Sequence, residues 1–330
     1  MTNIYDMTRE ELIHWLGTKN VKSFKAIQIY EWLYMHRVKS FDAMTNLKKD
    51  FIEELKKEFT IEELKIKKLE TSETTLKYLF ELNDGNFIEA VVISSQIGCN
   101  MGCAFCESGR LKKVRDLLPG EIIGQLLAIE ENSGLKINSV VIMGIGEPFD
   151  NYDNIIRFLK IVNDAKGMAI GARHITVSTS GIVPKIREFS DFPLQINLAV
   201  SLHAPNDEIR NRIMKINKVY NIDTIMDAID HYTTKTNRRV TIEYVMLKGI
   251  NDSKECAYEL VNLLKGKNVY VNLIPYNETS HLEFMKRSTK RKDDFFEILN
   301  KSGITVTVRR EFGGGISAAC GQLRANEVER

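Results

Sequence analysis

The sequence predicts an α/β protein: a partial (β/α)6 barrel with a small helical segment at its N-terminus. From Ala90 onward, short apolar runs alternate with stretches of helical period. That is the pattern of parallel strands joined by helical crossovers. Six runs read as strands: AVVISSQ, NSVVIMGIG, HITVSTSG, QINLAVSLH, RVTIEYVML and VYVNLIPYN. Residue types that carry chemistry crowd at the C-terminal ends of these runs, where barrels place their sites.

Residues 1–66 read as a helical accessory domain. Thr8-Arg9-Glu10-Glu11 is a capping box that opens a short helix. AIQIYEWLYMHR and LKKDFIEELKKEF each repeat apolar residues at helical spacing. Near Lys67 the period changes. LKYLFELNDGNFIEAVVISSQ predicts a connecting hairpin over 67–89, with Asn83-Asp84-Gly85 as its turn. The barrel is expected over 90–330. GEIIGQLLAIEENSG and NIDTIMDAIDHYTTKT are two of its crossover helices. No internal repeat, low-complexity tract or long linker interrupts it.

With 330 residues and 43% apolar content, the chain is long enough to bury a large core. Its 46 basic and 44 acidic residues nearly cancel, but they are unevenly spread. Lysines are frequent between residues 19 and 68, and Lys286, Arg287, Lys290, Arg291 and Lys292 form a second basic cluster. Such runs are ordinarily solvated surface and gain meaning beside a site that needs a polyanion. No run of eighteen apolar residues suggests a membrane span, and the polar, acidic start does not resemble a secretory leader. Five cysteines, three of them clustered, do not make a disulfide framework, so the reducing cytoplasm is the expected location.

The cluster is Cys99, Cys103 and Cys106, in the string GCNMGCAFC. A C-x3-C-x2-C spacing offers three thiolates to a [4Fe–4S] cluster and leaves the fourth iron open to a substrate. The competing reading is structural zinc, which takes four ligands, usually as two pairs. His174 and His203 lie far downstream and Cys320 farther still, which favours the cluster. The other strand-end residues are Gly146-Glu147-Pro148, Ser178-Thr179-Ser180-Gly181, Ser201-Leu202-His203 and Asn272. Taken singly, Ser178 and Ser201 read as strand-end caps and His203 as a packed core histidine.

Together these strings resemble a known family. The cysteine spacing is that of the radical S-adenosylmethionine (SAM) superfamily. ISSQIGCNMGCAFC, MGIGEP, VSTSGIVP, SLHAPNDEIR, INK, TIEYVML, NLIPYN and AACGQL, in this order, resemble the RlmN/Cfr family over nearly the whole chain. Its members are radical SAM methyltransferases that methylate adenine of 23S ribosomal RNA at C2 or C8. The resemblance implies that Cys99, Cys103 and Cys106 ligate the cluster. It implies that Gly146 and Glu147 meet the amino group of SAM, and that Ser178, Ser201, Leu202, His203 and Asn272 line the rest of its pocket. Cys320 matches the cysteine that takes a methyl group from one SAM. A second SAM yields the 5′-deoxyadenosyl radical that activates this S-methyl group for addition to the adenine ring. Cys256, on the apolar face of a helical stretch, is expected to be inert. The implied partners are RNA, of the 23S ribosomal type or else tRNA, and an electron donor such as flavodoxin or ferredoxin. The protein is expected to be a monomer away from membranes.

The chain departs from the family pattern near the substrate. Family members carry a further cysteine, seven residues before the first cluster cysteine, that resolves the protein–RNA adduct; here that position is Val92. The family's presumed base lies in a V-E-T-V-like stretch, and Glu89, in Ile88-Glu89-Ala90-Val91, is its match. The segment from there to the cluster is shorter than usual. Gly314, Gly315 and Ser317 stand where acidic residues are common in the family. Three readings follow: an RNA adenine methyltransferase with altered adduct release, a family-derived enzyme on another substrate, or a non-catalytic RNA-binding relative. The SAM-site motifs count against the third.

Overall fold

The computed structural model describes residues 1–278, 291–309 and 322–328. The chain opens with helices α1 (Arg9–Thr18), α2 (Phe24–Tyr30) and α3 (Lys49–Glu58). Thr8 Oγ1 accepts the Glu11 N–H at 3.2 Å, and the Glu11 carboxylate accepts the Thr8 N–H at 2.8 Å. This is the reciprocal cap read from the sequence. α2 continues into one π-helical turn, Glu31–Met35. Thr2–Asn3 lies parallel to Phe59–Thr60 and closes the segment.

Next comes an antiparallel three-stranded sheet of β1 (Lys65–Thr71), β2 (Leu76–Glu81) and β3 (Phe87–Ala90). The β2–β3 hairpin turns at Asn83-Asp84-Gly85, with Gly85 at φ +78° and its N–H donated to the Leu82 carbonyl at 2.9 Å. β1 adds a second hairpin beyond the one expected. It is an exposed edge rich in lysine, with Ile66 and Leu69 facing solvent. An edge of that kind buries no apolar face and so leaves no alternating signal.

The main sheet has six strands, all parallel, in the spatial order β9-β8-β7-β6-β5-β4. They are β4 (Val140–Ile142), β5 (Ile175–Thr179), β6 (Asn197–Ser201), β7 (Val240–Met246), β8 (Val269–Pro275) and β9 (Val306–Val308). The crossovers include α4 (Pro119–Ser133), α5 (Tyr152–Asn163), α6 (Val183–Phe189), α7 (Asp207–Ile213), α8 (Ile222–Thr236), α9 (Lys254–Leu264) and α10 (Lys292–Lys301). A short C-terminal helix, α11 (Gln322–Val328), follows.

The strand expected first, AVVISSQ, does not form as such. Ala90 ends β3, and Ile93 alone bridges to Ile142 of β4. Local hydrogen bonds explain the break. Ser94 donates its hydroxyl to the Glu89 carbonyl at 2.6 Å and its N–H to Gln125 Oε1 at 3.0 Å; Ile93 and Ser95 still donate to Val141 and Ile145, so the segment stays beside β4 without a regular ladder. β9 takes the sixth place at the opposite edge.

One buried apolar cluster runs from Ile4, Leu12 and Tyr30 of the N-terminal segment into the barrel, as far as Val271 and Phe295. Polar ties cross the same seam. The Gly120 N–H donates to Asp6 Oδ1 at 2.7 Å, Arg157 pairs with Glu11 at 3.0 Å, and Arg9 pairs with Asp164 at 2.7 Å. Among the described residues no helix is long and apolar enough to cross a membrane.

Candidate active site

A cavity of about 340 Å³ opens at the C-terminal ends of the strands. The cysteine loop forms one wall. Gly98 turns the chain into that loop at φ +78°, and a Cβ there would lie 2.1 Å from the Lys112 carbonyl oxygen, so only glycine fits. The Cys99 N–H donates to the Leu111 carbonyl at 3.0 Å, and the Ala104 N–H to Ile213 at the end of α7 at 2.9 Å. Phe105 meets the His203 ring edge-on, with centroids 4.9 Å apart. Cys99, Cys103 and Cys106 all line the cavity. Burial pushes the Cys99 thiol up to about 12 and holds those of Cys103 and Cys106 above the ordinary value. Neighbouring thiols add to the rise at Cys99 and Cys103, while backbone N–H groups act against it at Cys99 and Cys106. A cationic group bound among three such thiols favours their thiolates.

Gly146 and Glu147 form the next wall. Gly146 sits at φ +104°, and a Cβ would press to 2.5 Å from Gln96 Cβ. Gln96 accepts the Glu147 N–H at 2.8 Å and donates to Asp116 and Asp150 at 2.8 and 2.9 Å. Glu147 Oε1 accepts the Phe149 N–H at 3.0 Å, and Oε2 accepts the Ser180 N–H at 2.7 Å. Burial nevertheless raises its carboxyl above the usual value. A buried carboxylate in that state favours a cation beside it.

Ser178, Ser201 and His203 also line the cavity. His203 lies in the left-handed region at φ +58°. Its Nδ1 accepts the Val245 N–H at 3.1 Å, and its carbonyl accepts from Asn251 at 2.8 Å. Burial, with the Arg210 charge adding to it, pulls the imidazole down to about 3, so the ring is neutral. Its contacts are those of a packing histidine that seats Phe105. The Leu202 side chain is fully buried in the core, outside the cavity lining. Asn272 also lies outside the lining; its Nδ2 donates at 2.8 Å to Glu243 Oε2, and Glu243 does line the cavity.

Arg210 lies within SLHAPNDEIR, and nothing in the sequence marks it out. It is completely buried. Its guanidinium donates to the carbonyls of Leu202 (3.0 Å), Ser180 (2.7 Å), Ser201 (3.2 Å) and Tyr220 (3.3 Å), and to Asn217 Oδ1 (2.8 Å). It thereby ties together the chain ends that follow β5 and β6.

The far wall belongs to β2 and β3. Glu89, Val91 and Val92 line it, and so does Lys77, which the sequence reading passed over. Lys77 Nζ lies 3.0 Å from Glu89 Oε1, and both side chains are buried. Cys256 is buried on α9, away from the cavity. Cys320, Gly314, Gly315, Ser317, Lys286, Arg287 and Lys290 lie outside the described residues. Several N-terminal lysines are paired with acids, among them Lys19 with Glu58, Lys56 with Asp42 and Lys57 with Glu54.

Residues 93–264 match the Radical SAM superfamily, and residues 2–61 match the Ribosomal RNA large subunit methyltransferase N-terminal domain. A probable dual-specificity RNA methyltransferase RlmN from Acholeplasma laidlawii is 49% identical over 336 residues, spanning 98% of this chain and 99% of that one. One from Streptococcus mutans is 50% identical over 347 residues, spanning 99% and 96%. The crystal structure of a radical SAM methyltransferase from Sphaerobacter thermophilus superposes with a TM-score of 0.90 at 39% identity, spanning 98% and 99%. The chain belongs to the RlmN family of the radical SAM superfamily.

The cofactors of that superfamily are the expected pair, a [4Fe–4S] cluster and SAM, and the donor set fits them. Among the described residues no three His, Cys, Asp or Glu side chains converge on a single ion. The three thiols instead share a cavity wall, as a polynuclear group with one cysteine per iron requires. Glu147 lines the same cavity, and its carboxylate is of a kind that an amino group would pair with.

Proposed function

We propose that this protein methylates an adenine ring carbon, C2 or C8, in RNA of the 23S ribosomal type. The observation that carries the reading is that the three cysteines, Glu147 and Glu89 surround one cavity at the strand ends. When bound, SAM would supply a methyl group by displacement at one molecule, and one electron from the cluster would cleave a second molecule to methionine and a 5′-deoxyadenosyl radical.

In this reading, Cys99, Cys103 and Cys106 hold three irons and leave one open. Glu147 takes the amino group of SAM, with Gly146 giving it room to approach. Ser178 and Ser201 offer hydroxyl partners to the sugar, and Asn272 acts from behind the lining by holding Glu243. His203 acts through its fold, holding Phe105 and the cysteine loop, and Leu202 contributes main chain alone. Cys320 is the methyl carrier, and Glu89 removes the ring proton. The target base leaves its stack to enter the cavity. The N-terminal helices and the basic cluster around Lys290 hold the RNA phosphates. A flavodoxin or ferredoxin delivers the electron, and the protein works as a cytoplasmic monomer.

The test is anaerobic reconstitution with labelled SAM and total RNA, followed by nucleoside mass spectrometry. Labelled 2- or 8-methyladenine nucleoside supports the reading. Radical cleavage of SAM with no labelled nucleoside points to another substrate. No cleavage at all, with the cluster loaded, refutes it.

A further inference from the structure

Glu89 is held from two sides. Its Oε1 faces Lys77 Nζ at 3.0 Å, and its Oε2 accepts the backbone N–H of Arg324, in α11, at 2.9 Å. The Lys77 and Glu89 side chains are only 2% and 4% exposed. A buried ion pair repays its desolvation only when further hydrogen bonds complete it, and the Arg324 N–H is such a donor. Arg324 also donates through Nε to the Phe87 carbonyl at 2.7 Å. α11 is therefore bound to β3 at both Phe87 and Glu89. Leu323 and Ala325 are buried beside these contacts.

We propose that Lys77 and Glu89 form the seat that fixes the C-terminal segment to the cavity wall, with Glu89 as its positioning residue. Lys77 holds the carboxylate in place, and the carboxylate holds the main chain of α11. The use of the seat rests on the function proposed above. Cys320 precedes Arg324 by four residues, and four residues of chain span at most about 14 Å. Chemistry at that cysteine thus takes place within a short tether of the seat. Glu89 then has two separable duties. Removing a proton needs an ionisable oxygen. Seating α11 needs only an oxygen that accepts a hydrogen bond, which glutamine still offers.

Amide hydrogen exchange, read by mass spectrometry on the full-length, cluster-loaded protein without RNA, separates these duties. Glu89→Ala should speed exchange in the peptide covering 322–328 by about 10- to 100-fold, the range for a hydrogen bond to a charged group. Glu89→Gln should lose clearly less than Glu89→Ala, because one amide oxygen still accepts the Arg324 N–H although the NH2 then faces Lys77. Glu89→Ala removes the carboxylate beside buried Lys77, so the double variant Lys77→Met/Glu89→Leu serves as the check that takes out both charges together. It should lose the same protection while peptides of the main sheet keep theirs. Unchanged protection at 322–328 in the alanine and double variants would overturn the proposal. So would equal losses for glutamine and alanine. No RNA or turnover enters the measurement. A protein that never methylates RNA can still show the seat, and an active methyltransferase can still lack it.

Discussion

Replacing Arg210 by Met tests whether one buried guanidinium holds the strand ends that shape the cavity. The side chain is completely buried and makes five hydrogen bonds, four of them to carbonyls. Burial pulls its proton affinity down to about 10, so it is charged at neutral pH. Methionine keeps the apolar stem and removes every donor. The carbonyls of Ser180, Ser201 and Leu202 then lose a shared partner. Breaking a buried charged network of this kind costs about 3–5 kcal/mol. That is a large share of the roughly 5–15 kcal/mol that folded domains possess. Arg210→Lys should fall between, because an ammonium keeps the charge but lacks the planar fork. The assay is anaerobic urea unfolding followed by circular dichroism, where a lower midpoint at constant slope reports lost stability. SAM binding by the surviving folded protein should weaken too, since Ser180 and Ser201 shift. A loss below about 1 kcal/mol for Arg210→Met, the size expected of an ordinary surface change or smaller, would refute the tie.

Gly98→Ala forces a left-handed alanine against the Lys112 carbonyl. Iron per protein should drop sharply after reconstitution while far-ultraviolet dichroism stays near the parent's; full iron content would show that the turn yields easily. His203 gives an acid dependence. Its folded value of about 3 lies below the ordinary 6.5, so the unfolded chain binds a proton that the folded one refuses. Its stabilising contribution is complete above 6.5 and is lost as pH falls toward 3, at up to about 1.4 kcal/mol per pH unit. His203→Asn, which tolerates the same backbone and can accept the Val245 N–H, should flatten that acid limb in unfolding curves; an unchanged limb would point to other groups. Finally, the parent protein should accumulate a denaturation-stable RNA adduct that is absent in Cys320→Ala. Val92→Cys, on the cavity wall, should speed release of that adduct, and rapid multiple turnover by the parent without added thiol would contradict this.

The barrel and its mouth were legible because parallel strands buried on both faces leave unbroken apolar runs, and because site residues follow those runs. The capping box at Thr8 and the turn at Gly85 were legible for local reasons, each set by a few adjacent residues. What escaped detection depended on partners distant in sequence. Lys77 looks like any lysine in a strand, and its burial becomes apparent only once the β2–β3 register, with Leu79 opposite Glu89, sets Glu89 diagonally beside it. Arg210 sits in a short helix capped by Asn206, where arginine ordinarily faces water. The run AVVISSQ has strand composition, but Gln125 takes both the N–H and the carbonyl of Ser94, which a regular ladder would have used. β1 has the reverse problem, a true strand whose exposed face carries no periodic mark.

The unbroken core between the N-terminal helices and the barrel has a mechanical meaning for RNA. Surfaces that share buried side chains such as Tyr30 and Phe158 do not swing independently. Phosphates gripped by α1–α3 would therefore stand at a set offset from the cavity mouth. Under the proposed function the protein would act as a jig: an RNA fold offering its adenine at that offset would be served, and one displaced along the helix would not, whatever its sequence. Selectivity of this kind resides in dimension, which suits a duplex whose deep, narrow major groove keeps side chains from reading its bases.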